Sequence, residues 1–131
     1  ALRLPDAVSL HDGALLEPLA VAAHAVALAR IGPGMRVLVI GAGPIGLGVA
    51  ALARLAGADH VVVSEPVAGR RGRTLTVGAT AVIDPLAEDP APVFRAADVI
   101  IECVGIPGMI GRCIELARPQ GRILVVGVCM E

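Results

Sequence analysis

Four residues are of a type and spacing that could bind a charged ligand. Three are glycines in the run Gly41-Ala42-Gly43-Pro44-Ile45-Gly46. The fourth is the acid Glu65, about twenty positions further on, the offset at which dinucleotide folds place a ribose-binding acid. Gly41 permits a tight turn, Gly43 lets backbone N–H groups approach a pyrophosphate, and Gly46 lets a helix lie close against a strand. Pro44 and Ile45 would open that helix, whose unpaired amides and positive dipole end favour phosphate. Glu65 can accept hydrogen bonds from ribose hydroxyls. The chemistry on offer is dinucleotide binding.

Glycines at this spacing also serve plain close packing in α/β domains, so context decides. The aliphatic run Arg36 to Ile40 reads as a strand feeding the turn, Pro44 to Leu55 as a helix ended by Gly57, and His60 to Ser64 as a second strand delivering Glu65. An acid there repels a 2′-phosphate, so NAD is expected over NADP. Arg70 and Arg71 stand close by, and a guanidinium can accept that phosphate instead. Arg70 is a candidate contact; Arg71 reads as part of a solvated helix face.

Ligands in open α/β sheets lie at the carboxyl ends of the strands. Cys103 and Val104 at one strand end, with Val126 and Gly127 at another, are therefore candidates to meet the nicotinamide ring and ribose through backbone groups, the alternative being ordinary strand termination. Cys103 has no base beside it in sequence and is not expected to be a nucleophile. Glu102, inside its strand, must find a hydrogen bond or a wet edge, because burying it unpaired would be costly. Glu17, a lone acid among apolar residues, is either a cap for a helix restarting at Pro18 or a carboxylate for a metal or substrate; the residues alone favour the cap. His11, His24 and His60 fit no metal spacing.

The remaining elements must position these groups. Ser9 to Asp12 has capping-box spacing, so a helix is expected from Leu10 to Arg30 with a break at Pro18. Gly69 to Val77, rich in glycine and β-branched residues, is expected to be frayed or weakly held. Ala81 to Ile83 is a short strand, residues 85–92 a loop, Asp98 to Val104 a strand, Pro107 to Leu116 a helix and Ile123 to Val128 the last strand. The alternation implies a Rossmann-type, doubly wound parallel α/β sheet of five strands in order 3-2-1-4-5, with the sixth strand of a full dinucleotide fold missing. Residues 1–34 form a helical segment leading into a cofactor domain over 35–131.

Bulk composition agrees. Hydrophobic residues make up 56% of the 131 and aromatics 1%, so the core must be aliphatic, as in a sheet covered on both faces. A net charge of −1 without a basic cluster argues against nucleic acid. All 11 basic residues are arginine, which removes lysine Schiff-base chemistry. Val37 to Ala53 carries no charge and mean hydropathy is +0.80, but glycines and a proline interrupt that stretch, so no membrane span is expected. Cys103, Cys113 and Cys129 follow no metal or redox spacing, and Pro5 and Asp6 interrupt any signal-peptide core, so a cytoplasmic location is expected.

Gly13-Ala14-Leu15-Leu16-Glu17-Pro18-Leu19-Ala20, Gly34-Met35-Arg36 through Gly46, Val62-Val63-Ser64-Glu65 and Ala117-Arg118-Pro119-Gln120-Gly121-Arg122 together resemble the zinc-dependent medium-chain dehydrogenases, most strongly the polyol, butanediol and threonine branch. The similarity covers nearly the whole chain. It implies NAD-dependent oxidation of a secondary alcohol, a small-molecule substrate, with hydride passing to nicotinamide, zinc polarising the alcohol oxygen, and a homo-oligomer at full length. It also implies that Glu17 occupies the position from which that branch offers a carboxylate to zinc or its water. The family's zinc-binding catalytic domain would lie before Ala1, so zinc is expected only with that part, and the segment between the third and fourth strands looks shorter than the family's helix-bearing one. Two readings follow: the cofactor domain of a zinc alcohol or polyol dehydrogenase, inactive alone, or a stand-alone nucleotide-binding module or truncated product. FAD or S-adenosylmethionine would be other ligands for the same fold.

Overall fold

The computed structural model describes residues 3–128. Five parallel strands form one sheet: β1 (Arg36–Ile40), β2 (His60–Ser64), β3 (Ala81–Ile83), β4 (Val99–Glu102) and β5 (Arg122–Val125), in order β3-β2-β1-β4-β5. The six helices are α1 (Leu10–Gly13), α2 (Leu16–Leu28), α3 (Pro44–Leu55), α4 (Ala68–Thr76), α5 (Ala91–Ala96) and α6 (Met109–Leu116).

The aliphatic strands explain the layers. In β1, Val37 and Val39 face one side, where Val61, Val63, Val99 and Ile101 join them under the alanines of α2 and α3. Leu38 and Ile40 face the other, with Ile100, Phe94, Cys113 and Leu116 beneath α5 and α6. A strand buried on both faces needs apolar residues at consecutive positions, which is why β1 shows no alternation. Small residues set the helix spacing: a Cβ at Gly48 of α3 would lie 3.0 Å from the Ala22 Cβ of α2. The segment before residue 35 thus shares its core with the sheet through Ala22, Ala25, Val26 and Ala29.

Several boundaries differ from the sequence expectations. Ser9 caps α1, its Oγ accepting the Asp12 N–H at 3.0 Å, but the helix ends at Gly13. Pro18 does not interrupt α2; it is the third helical residue, where its missing N–H would have lacked a partner anyway. Within the segment 69–77, residues up to Thr76 lie in the regular helix α4 despite their poor propensity, with Thr74 buried and Arg71 paired to Asp84 beyond the helix. The 85–92 loop gives way at Ala91 to α5, which begins after Pro90 and packs Phe94 into the core, so a short helix does connect β3 to β4. β4 stops at Glu102, α6 starts at Met109 after Gly108 in the left-handed region (φ +80°), and β5 spans Arg122–Val125. Among the described residues no helix is long and apolar enough to cross a membrane.

Candidate cofactor site

At the carboxyl end of β1 the three glycines separate by role. Gly41 has φ +95°, a conformation that penalises any side chain. At Gly46 a Cβ would collide with the Gly41 carbonyl oxygen, so α3 could not approach the turn. Gly43 differs from both. It caps α3 with an ordinary φ of −72°, is half-buried, and a Cβ there would meet nothing within 4 Å. Neither strain nor crowding requires glycine at 43; the space above it is open. The N–H groups of Gly43, Ile45 and Gly46 have no acceptor among the described residues and stand at the positive end of a twelve-residue helix opened by Pro44. Amides so arranged favour an anion.

Glu65 leaves β2 beside this turn and is 3% exposed. Its Oε2 accepts the Ala42 N–H at 2.8 Å and its Oε1 the Val67 N–H at 2.9 Å. The acid is tied to the turn's own backbone, and each oxygen keeps one lone pair for a further donor. Arg71 is the clearest departure from the sequence reading: it is not on a solvated face. Its Nη1 donates to the carbonyls of Glu65 (2.9 Å) and Pro66 (2.6 Å) and lies 2.9 Å from Asp84 Oδ2. Arg70, on the first turn of α4, is exposed and has no ion pair among the described residues.

The ends of β4 and β5 interlock. Glu102, 1% exposed, directs Oε1 at the N–H groups of Val104 (2.6 Å) and Gly105 (2.8 Å), and its carbonyl accepts the N–H groups of Val126 (2.8 Å) and Gly127 (3.0 Å). Its Oε2 has no partner, and a Cβ on Gly127 would come within 2.5 Å of it. Glu102 therefore finds the bonds that burial demands at one oxygen only. The Cys103 N–H donates to the Ile40 carbonyl at 3.0 Å. With these donors engaged, Cys103, Val104, Val126 and Gly127 can offer a ligand backbone acceptors but no amide. The Cys103 thiol is pushed up to about 12, first by burial and then by the Glu102 charge, so it is no nucleophile at neutral pH.

An apolar cavity of about 360 Å³ opens at these same strand ends, walled by Ser64, Pro66, Pro85, Phe94, Val104 and Ile106. The sequence reading missed Pro66, Pro85 and Ile106. The signal available was position alone, since each lies two to four residues past the end of a strand. Val104 belongs to this cavity, between the ends of β2, β3 and β4. A second cavity, of about 440 Å³, lies near Arg36 and His60 at the opposite end of the strands from the glycine turn.

Glu17 is exposed in the first turn of α2. Its neighbours Leu15 and Pro18 line a groove with Pro44 and Leu47, which puts it at the same end of the molecule as the glycine turn. No group of three histidine, cysteine, aspartate or glutamate side chains that could hold a metal occurs among the described residues. One carboxylate does not hold catalytic zinc, so these residues do not by themselves fit that ion.

Comparison with known proteins agrees with this geometry. The family model for zinc-binding dehydrogenases matches residues 44–131. L-galactonate-5-dehydrogenase of Escherichia coli (strain K12) is 40% identical over 129 residues, covering 94% of this chain and 38% of that protein. Human sorbitol dehydrogenase is 36% identical over 137 residues, covering 98% of this chain and 38% of the enzyme. Among solved structures, a protein assigned as a zinc-binding dehydrogenase from Sinorhizobium meliloti 1021, solved bound to NADP, superposes with a TM-score of 0.90 at 37% identity, covering 98% of this chain and 40% of that one. Alcohol dehydrogenase TADH from Thermus sp. ATN1 gives 0.89 at 28% identity, with coverages of 99% and 39%. The chain thus spans about two fifths of the length of the relatives it matches. It belongs to the zinc-binding dehydrogenase family.

Proposed function

We propose that this chain binds NAD(H) for a zinc-type alcohol or polyol dehydrogenase that oxidises a secondary alcohol. The observation that carries the reading is the turn at Gly43, where a Cβ would meet nothing within 4 Å and the N–H groups of Gly43, Ile45 and Gly46 have no acceptor among the described residues. A pyrophosphate would lie there against the free amides of Gly43, Ile45 and Gly46. The adenosine ribose would share Glu65, and the adenine would enter the apolar cavity beside Pro66, Pro85 and Ile106, whose size suits a flat heteroaromatic ring. Carbonyl acceptors at the ends of β4 and β5 suit the carboxamide N–H₂ of nicotinamide. When bound, the cofactor supplies the hydride acceptor.

The acid at the end of β2 supports NAD over NADP, while the NADP-bound neighbour marks the alternative within the family. Zinc, the alcohol and the homo-oligomer are read from the relatives, with Glu17 offered towards the metal from the end of the molecule that holds the turn. The residues that would complete the zinc site are not among those described. The free thiols Cys103 and Cys113 support a reducing, cytoplasmic setting. Calorimetric titration with NADH tests the reading: one saturable site is expected, and no heat at protein concentrations well above micromolar overturns it.

A further inference from the structure

The end of β2, where the adenosine ribose would lie, holds more charge than its acid. Glu65, Arg71 and Asp84 sit together there, all part-buried or buried, and between them carry one net negative charge. Arg71 is fixed by the carbonyls of Glu65 and Pro66, so its guanidinium lies beneath the chain where β2 ends. Its side chain is 20% exposed and that of Asp84 24%, so water screens the pair only in part. Asp84 is fixed as well: its Oδ1 accepts the Leu86 N–H at 3.0 Å, leaving Oδ2 for Arg71 at 2.9 Å. Neither partner has a loose end that would let the pair drift apart.

A guanidinium at this place is the group that would meet a phosphate on the ribose 2′ oxygen. We propose that Asp84 is a specificity-determining residue, which neutralises Arg71 and so withholds it from a 2′-phosphate. The discrimination between NAD(H) and NADP(H) then rests on the Arg71–Asp84 pair as well as on Glu65. The proposal depends on the dinucleotide reading above. It makes a distinct demand: changing the charge at residue 84, which follows a different strand from Glu65, must move the preference.

Asp84→Asn retains an oxygen for the Leu86 N–H while removing the charge, bringing the net charge of the three groups to zero. Arg71→Ala takes it to two negative charges, and the double variant restores one. Fluorescence titration of the purified protein and each variant with NADH and NADPH at low salt reads the ratio of the two dissociation constants. Asp84→Asn is expected to tighten NADPH about tenfold, the equivalent of about 1.4 kcal/mol, with NADH within about twofold of the original. Arg71→Ala should weaken NADPH relative to NADH, and the double variant should return close to the starting ratio. NADH binding itself reports that each variant is folded. An unchanged ratio in Asp84→Asn, an equal gain for both nucleotides, or a gain that survives in the double variant overturns the proposal while leaving the cofactor reading intact. Failure of the unmodified protein to bind either nucleotide overturns both.

Discussion

Gly43 and Gly46 stand three residues apart and answer to different masters. Gly46 is required by the protein, since a Cβ would strike the Gly41 carbonyl, whereas at Gly43 a Cβ would meet nothing within 4 Å, so any demand for glycine there must come from a bound ligand. Gly46→Ala should therefore lower stability by about 3 kcal/mol, the upper part of the range for overpacking, because its obstacle is backbone and cannot rotate away. Chemical denaturation measures this, and a loss below about 1 kcal/mol would contradict the packing account. The half-buried Cys103 and the buried Cys113 give a second test. Cys103 is raised from 9.0 to about 12 and Cys113 to about 11, each first by burial and then by the Glu102 charge. Both stay protonated in the folded chain through neutral and mildly alkaline pH. The unfolded chain loses these protons near pH 9, so their contribution to stability is complete below that value and declines as pH rises towards 11–12. Peptide mapping after brief alkylation at pH 8 should find Cys103 and Cys113 unmodified in the native protein and modified in denaturant; equal labelling would contradict their raised pKa values.

At the scale of elements, the strands were legible because each is a short aliphatic run between glycine or proline signals, and the turn after β1 because its glycines follow a strand. Helix α4 was not. Gly69, Gly72, Thr74 and Thr76 predict fraying, and the interactions that overrule them involve residues brought close only by the fold: Arg71 reaching Asp84 across the β2–β3 crossover, and Thr74 buried against the sheet. The same distance in sequence concealed the burial of Arg71 and the engagement of Glu65 by Ala42, because a charged residue looks solvated until its partner is placed. The cavity at the strand ends was hidden for a related reason, since its walls come from separate segments after β2, β3 and β4. If tertiary contacts hold α4 against its own propensity, improving that propensity should add stability. Gly72 is exposed within the helix and a Cβ there meets nothing within 4 Å. Gly72→Ala should then stabilise the chain by about 1 kcal/mol, seen as a higher denaturation midpoint. A lower midpoint would mean that α4 is not a regular helix at that position.

For the molecule as a whole, every group with a role in the proposed function lies at one end of the sheet. The glycine turn, Glu65, the apolar cavity and the interlocked ends of β4 and β5 are all at carboxyl termini of strands, on either side of β1 and β4 where the strand order reverses. The shared direction of the parallel strands puts them there, so fold and site follow from one pattern. The central claim is that this end receives the pyrophosphate of a dinucleotide over Gly43. Titrating NADH against the unmodified chain and against Gly43→Val tests it most directly, because the open space lets valine enter without disturbing the fold. The expected result is saturable binding to the first, none to the second, and matching melting temperatures. Retained NADH affinity in Gly43→Val would contradict the placement of the pyrophosphate and the functional account built on it.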